Sequence, residues 1–163
     1  MNFFGKRIKN SDTAIVSPVN GEVVPITKVP DEVFAQKMMG DGLAVIPTDD
    51  VVVAPIDGKV SFIAETRHGI GITSKTGLEM VVHLGIDTVN LKGAPFNVQV
   101  KLNQSIKAGQ PLVMMDRQAI VAAKLDPIVI IAMTNLNDLK QRIELTVGSA
   151  QAGQAVATLK PVN

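Results

Sequence analysis

The chain repeats itself, and the repeat limits the folds open to it. Ser17-Pro18-Val19-Asn20-Gly21-Glu22-Val23 recurs as Ala54-Pro55-Ile56-Asp57-Gly58-Lys59-Val60: a small residue, Pro, a β-branched residue, then Asn or Asp before Gly and a strand. Asn-Gly and Asp-Gly supply the positive φ angles of tight turns, so each copy is a turn that opens a strand. A second pair, Ile106 to Val113 and Ala150 to Ala157, shares Ala-Gly-Gln at its centre and reads as strand, turn, strand. The two pairs predict equivalent units in two halves of one fold. Elsewhere, short runs rich in Val, Ile and Leu end at Gly, Pro or Asp, as at 43–46, 51–54 and 128–132. The expectation is an all-β, antiparallel sandwich or barrel with an internal duplication. Helices are few and short: Pro30 to Gln36, a segment capped by Asp116 over Arg117 to Lys124, and a turn from Asn135 or Asn137 through Arg142.

With 163 residues, 46% of them hydrophobic and 19% charged, the chain has material for one core and one domain. Residues 1–13 read as a flexible leading segment and 14–163 as the domain. Sixteen basic against fifteen acidic side chains leave a charge of +1, and the aromatic share of 3% is all Phe. No field and little stacking surface are left for nucleic acid. Absence of Cys excludes disulfides, thiolate zinc, iron–sulfur clusters and thiol catalysis together. Nothing reads as a spanning segment or a secretion signal, which points to a cytoplasmic protein. Phe3, Phe4 and Ile8 beside Lys6, Arg7 and Lys9 form an amphipathic stretch suited to weak contact with an anionic membrane through residues 1–10.

His68 and His83 are the two imidazoles of the chain. They lie in two runs separated by Ser74-Lys75-Thr76-Gly77, a hairpin turn. A turn centred between Lys75 and Thr76 sets His68 directly opposite His83, with Cβ atoms about 4.5 to 5.5 Å apart on one face. A one-residue bulge at Gly77 sends them to opposite faces instead. Gly69 and Gly71 alternate with Ile70 and Ile72 and are expected against Val82 and Leu84, where missing side chains admit close approach. Facing imidazoles can be half of a zinc site, for which Glu79 is the one further donor in the hairpin, with no His-x-His or His-Glu-x-x-His spacing in support. They also suit phosphoryl chemistry. One neutral nitrogen attacks phosphorus while the second ring hydrogen-bonds the phosphoryl oxygens.

Val82-His83-Leu84-Gly85-Ile86-Asp87-Thr88-Val89-Asn90-Leu91-Lys92-Gly93 resembles the signature of the glucose-type enzyme IIA components of the bacterial phosphoenolpyruvate-dependent sugar phosphotransferase system. Further blocks agree in order: 30–37, Gly40-Asp41-Gly42, Ala54 to Gly58, and Glu65-Thr66-Arg67-His68. The resemblance implies a duplicated hybrid motif fold and a stand-alone phosphotransferase component. It implies that His83 takes a phosphoryl group on Nε2 from the phosphocarrier protein HPr and passes it to the IIB domain of a sugar permease. His68 then stabilises the phosphoryl group, and Thr66 hydrogen-bonds within the site. Val33, Phe34, Met38 and Met39 fall in an apolar docking rim, with Asp31 and Asp87 as carboxylates for partner arginines. On periodicity alone the four rim residues read as core and the two Asp residues as turn positions. No cofactor is obligatory, although His68 and His83 hold zinc if a partner completes the site. A monomer is implied, with regulatory targets among transporters or kinases. Glu32, Gln36 and Ala64 depart from the pattern, the last where a bulky aromatic is expected, so docking preferences differ while the chemistry stays. Two other classes stand against this reading. A biotinyl or lipoyl carrier domain has a similar opening strand, but Ser74-Lys75-Thr76 lacks the Met-Lys-Met type of flank; a binding domain without chemistry leaves the histidine pair unexplained.

Overall fold

The computed structural model describes residues 13–162. Its strands are Thr13–Val16 (β1), Gly21–Pro25 (β2), Asp41–Pro47 (β3), Val51–Val53 (β4), Gly58–Ile63 (β5), Gly69–Thr73 (β6) and Glu79–Leu84 (β7). Seven more follow: Phe96–Val98 (β8), Ser105–Ile106 (β9), Pro111–Met115 (β10), Val129–Met133 (β11), Gln141–Leu145 (β12), Gly148–Ala150 (β13) and Ala155–Pro161 (β14). Two short helices, Glu32–Ala35 (α1) and Arg117–Ala122 (α2), and two 3-10 turns, Ile26–Lys28 and Thr88–Leu91, join them. The strands form an antiparallel eight-stranded sheet ordered β13-β2-β3-β11-β7-β6-β5-β9 and two three-stranded sheets, β1-β14-β12 and β4-β10-β8. This is the all-β sandwich expected, with helices confined to connections.

Alternation of side chains decides what each face of the large sheet meets. Val23, Leu43, Val45, Ile72, Met80, Val82, Leu84, Val129 and Ile131 point inward and share one buried core with Ile15 and Leu159 of one small sheet and Leu112 and Phe96 of the other. The opposite face carries Ala44, Ile130 and Ala132, covered by a smaller cluster of Ile26, Val29, Phe34 and Ile86. Residue for residue, one row of this outer face runs Val24, Ala44, Ile130, His83, Gly69 across five strands.

The sequence repeat is a repeat of hydrogen bonds. Val16 N donates to Pro55 O at 2.9 Å and Val53 N donates to Pro18 O at 2.7 Å, so each copy of the turn grips the other. Gly153 N donates to Ser17 O and Gly109 N to Ala54 O, at 2.9 and 2.8 Å. Asn20 Oδ1 accepts from Ala152 N, as Asp57 Oδ1 accepts from Ala108 N. At the strand ends Gly21 pairs with Ala150 and Gly58 with Ile106. The Asn or Asp before each glycine therefore has a second duty beyond the turn: its side chain fastens the later hairpin of the same half.

Two local expectations need correction. The turn at 134–140 does not run on through Arg142, because Lys140 adopts φ 54° and the chain enters β12 at Gln141. Asn135 does not cap that turn; it clasps the histidine hairpin, accepting from Glu79 N at 2.8 Å and donating to Gly77 O at 2.8 Å. By contrast Asp116 caps α2, accepting from Ala119 N, although the helix stops at Ala122 and Lys124 has left-handed backbone. Of the leading segment, residues 1–13, all but the last lie outside the described residues, as does the membrane stretch at 1–10; Thr13 is already paired with Leu159. Among the described residues no helix is long and apolar enough to cross a membrane.

Candidate active site

Gly77 sets the geometry of the hairpin between β6 and β7. With φ 90° it adds the extra residue of a bulged turn, and Ser74 N donates to Leu78 O across it. The register therefore slides by one from the symmetric turn: His83 is opposite Gly69, and Gly71 is opposite Val81. His68 is not the cross-strand partner of His83, and Gly69 and Gly71 do not face Val82 and Leu84. Yet the histidines meet. His68 lies just before β6, in a turn where Arg67 has φ 61° and Ala64 N donates to Gly69 O. The turn takes His68 out of the strand's alternation, and Gly69, lacking a side chain, leaves space over the ladder. The two rings end 5.2 Å apart, edge to face at 83°. His68 O also accepts from Leu84 N at 2.7 Å, which ties the turn to β7 beside His83.

Each ring has its own polar support. Thr66 Oγ1 lies 2.7 Å from His68 Nδ1, so the hydroxyl fixes that ring and leaves Nε2 free of it. His83 Nδ1 is buried without a hydrogen-bond partner of normal geometry. The Gly85 backbone lies close enough to act on the ring, and its pull favours a proton there. Burial of Nδ1 leaves Nε2 as the nitrogen a second molecule can reach. Gly85 itself is fixed by a tight turn. It has φ 81°, and a Cβ there would lie 2.5 Å from Thr88 Cγ2 and 2.9 Å from Asp126 O. Asp126 O accepts from Ile86 N, and the buried Thr88 hydroxyl donates to Leu84 O.

The surroundings hold both rings neutral at pH 7. Burial pushes His83 below the ordinary value of 6.5, and His68 pushes it the same way; the Gly85 backbone, Asp31 and Asp87 pull less strongly upward. His68 is lowered by burial as well. A neutral imidazole keeps the lone pair that a nucleophile needs.

Phe34 supplies part of that burial. It is 6% exposed, and its ring centroid is 4.8 Å from that of His83. α1 has only four residues, below what nucleates alone, so it depends on the Asp31 cap, which accepts from Val33 N, and on insertion of Phe34. Of the four apolar residues grouped at the rim, Phe34 is thus a wall of the site, whereas Val33, Met38 and Met39 stand out at 43%, 69% and 38% exposure. Asp31 and Asp87 both act on His83 electrostatically. Glu79, the further donor in the hairpin, pairs with Thr73 at the far end of β7, about 13 Å along the strand from His83. Among the described residues no three metal-binding side chains converge. The pair fits half of a tetrahedral zinc site, not a whole one.

What the sequence alone did not disclose is the role of main chain. The Gly85 backbone acts on the His83 ring, and the left-handed turn at Arg67 brings His68 to it. The signal for the first was present in Leu84-Gly85-Ile86-Asp87, where a lone glycine follows a strand.

Residues 13–139 match the family model for the phosphoenolpyruvate-dependent sugar phosphotransferase system, EIIA 1. The glucose-specific EIIA component of Bacillus cereus strain ATCC 14579 is 40% identical over 157 residues, covering 96% of this chain and 94% of that protein. The glucose-specific EIICBA component of Staphylococcus carnosus strain TM300 is 42% identical over 146 residues, which are 90% of this chain but 22% of the longer protein. Glucose permease IIA from Mycoplasma capricolum has the same fold, with a TM-score of 0.85 at 32% identity over 94% of this chain and 99% of that one.

Proposed function

The chain belongs to the EIIA 1 family of the phosphoenolpyruvate-dependent sugar phosphotransferase system, a phosphoryl carrier in sugar uptake, and from that premise we propose that His83 is the residue that carries the phosphoryl group. The observation behind this is the asymmetry of the His83 ring: Nδ1 is buried, the Gly85 backbone acts on the ring, and burial favours its neutral form. With the proton on Nδ1, the Nε2 lone pair attacks phosphorus on the donor, HPr. The bond from phosphorus to the donor atom breaks, and its electron pair returns to the donor. The three phosphoryl oxygens pass across with their charge. His68, with its Nδ1 accepting from the Thr66 hydroxyl, presents Nε2–H to one of those oxygens. Among the described residues no carboxylate hydrogen-bonds either ring, so no general base stands ready to activate water against the phosphohistidine.

Onward transfer to a IIB domain reverses the geometry, with the acceptor atom attacking from the same side. Relatives in which this unit is one part of a glucose-specific EIICBA chain support a IIB-type acceptor. Val33, Met38 and Met39 form the apolar rim both partners meet, and Asp31 and Asp87 take basic side chains from them. A zinc ion would bind between His68 and His83 only with a further ligand from a docked partner. The protein acts as a monomer in the cytoplasm, and its regulatory contacts with transporters or kinases use the same face.

Incubation with phosphoenolpyruvate, enzyme I and HPr tests this. The chain should gain one acid-labile phosphate, absent in His83→Ala; a phosphate retained by that variant overturns the assignment. His68→Gln should still accept phosphate but pass it poorly to IIB.

A further inference from the structure

Phe62 stands out on the histidine-bearing face. Of the five Phe residues, Phe34 and Phe96 are buried at 6% and 2%, whereas Phe62 is 52% exposed. A bulge in β5 puts it there: pairing with β6 jumps from Val60–Ile72 to Phe62–Gly71. Bulges re-aim side chains, and this one turns Phe62 onto the outer face while Val60 stays in the core. Gly71 clears the place, since a Cβ on it would lie 3.0 Å from both Phe62 Cβ and Ser61 Oγ. Gly71 is opposite Val81, which sits two residues before His83 on β7. Strand spacing and rise then put Phe62 about 12 Å from His83, on the side away from α1.

A partner that brings a phosphoryl group to His83 has to cover a disc centred on that ring. A standard interface buries about 800 Å² per side, a disc roughly 16 Å in radius, and a weak one up to about 600 Å², a disc of roughly 14 Å. Phe62 falls within either. An aromatic side chain presented on a glycine-cleared strand inside such a footprint is suited to be a docking contact, because aromatic residues are enriched where interfaces exclude water.

We propose that Phe62 is a docking residue for the phosphoryl donor protein, covered by an apolar side chain of that donor when its phosphoryl group reaches His83. The assignment rests on the phosphotransfer reading above. The donor is the occupant because its phosphorus has to come within bonding distance of His83, so its surface must cover the outer face around that ring, where the pairing of Phe62 with Gly71 and of Gly71 with Val81 sets Phe62. Phe62 then continues the apolar rim of Val33 and Met39 to the other side of the imidazoles. It touches no reacting atom, so its effect belongs in binding and not in the chemical step.

The test is steady-state phosphoryl transfer from phospho-HPr to the wild-type chain and to Phe62→Ser, Phe62→Lys and Phe62→Leu. Ser and Lys should raise KM about fivefold or more with kcat unchanged, and Leu should stay within about twofold of wild type. Melting temperature and the His83 ring resonances should not move, because the side chain is half exposed. A wild-type KM in both Phe62→Ser and Phe62→Lys overturns the proposal, as does a fall in kcat alone. A loss seen only toward IIB overturns the choice of donor. A wild-type chain that takes no phosphate from HPr overturns the phosphotransfer reading itself.

Discussion

Replacing Phe34 with Ala should raise the pKa of His83. The Phe34 ring is 4.8 Å from the His83 ring and 6% exposed, and burial is the largest cause of the lowered pKa. Truncation opens the ring to water and moves its pKa up toward 6.5. The loss of Asp31's upward pull as α1 loosens works the other way but is the smaller influence. In stability, truncating a buried Phe costs about 3 to 5 kcal/mol; this cluster lies on the outer face, where water can enter, which favours the lower end, about 3 kcal/mol. Each unit of pKa corresponds to about 1.4 kcal/mol of preference between charged and neutral ring, so even half a unit is measurable by NMR titration. Phe34→Leu keeps most of the apolar cover and should leave the pKa near wild type. The acid limb of phosphoryl acceptance should move up with the pKa in Phe34→Ala. An Ala variant that stays folded and titrates His83 at the wild-type position would refute the argument that this ring desolvates His83.

Gly85→Ala, forced to φ 81° and into Thr88 and Asp126 O, should lose about 2 to 5 kcal/mol by denaturant unfolding and most of its phosphate acceptance. Thr66→Val removes the 2.7 Å contact to His68 Nδ1; about 1 kcal/mol of stability and roughly a fivefold slower transfer are expected, with His83 phosphorylation still complete at long times. Stability itself should depend on pH through His83. Its folded pKa lies below the unfolded 6.5, so below that pH the unfolded chain binds more protons and stability falls with acidification. Urea midpoints from pH 7.5 to 5 should decline less in His83→Gln than in wild type; identical slopes would contradict the lowered pKa.

Much of this architecture was legible as pattern. The Asn-Gly and Asp-Gly turns, recurring with Ala-Gly-Gln units, announced a duplication, and the hydrogen bonds accepted by the Asn20 and Asp57 side chains show why those residue types stand there. Pairing of the histidines was legible for an incomplete reason. The hairpin expectation assumed a symmetric turn, whereas Gly77 adopts the left-handed conformation that adds a residue and slides the register. The rings still meet because His68 has left the strand, and departure from a strand leaves no mark in a period-two pattern. Phe34 shows a related limit: helix-like spacing tells that a residue has an apolar neighbour, not that the neighbour is a titrating imidazole. The Phe62 bulge was hidden too, since Val-Ser-Phe-Ile reads as plain alternation until pairing with Gly71 is seen.

The central claim is that one nitrogen of one ring carries the phosphoryl group, and nitrogen-15 correlation NMR of the phosphorylated chain tests it most directly. The account predicts phosphorus on Nε2 of His83, with a proton on Nδ1 beside the Gly85 backbone. Phosphorus on His83 Nδ1, or on His68, would contradict it.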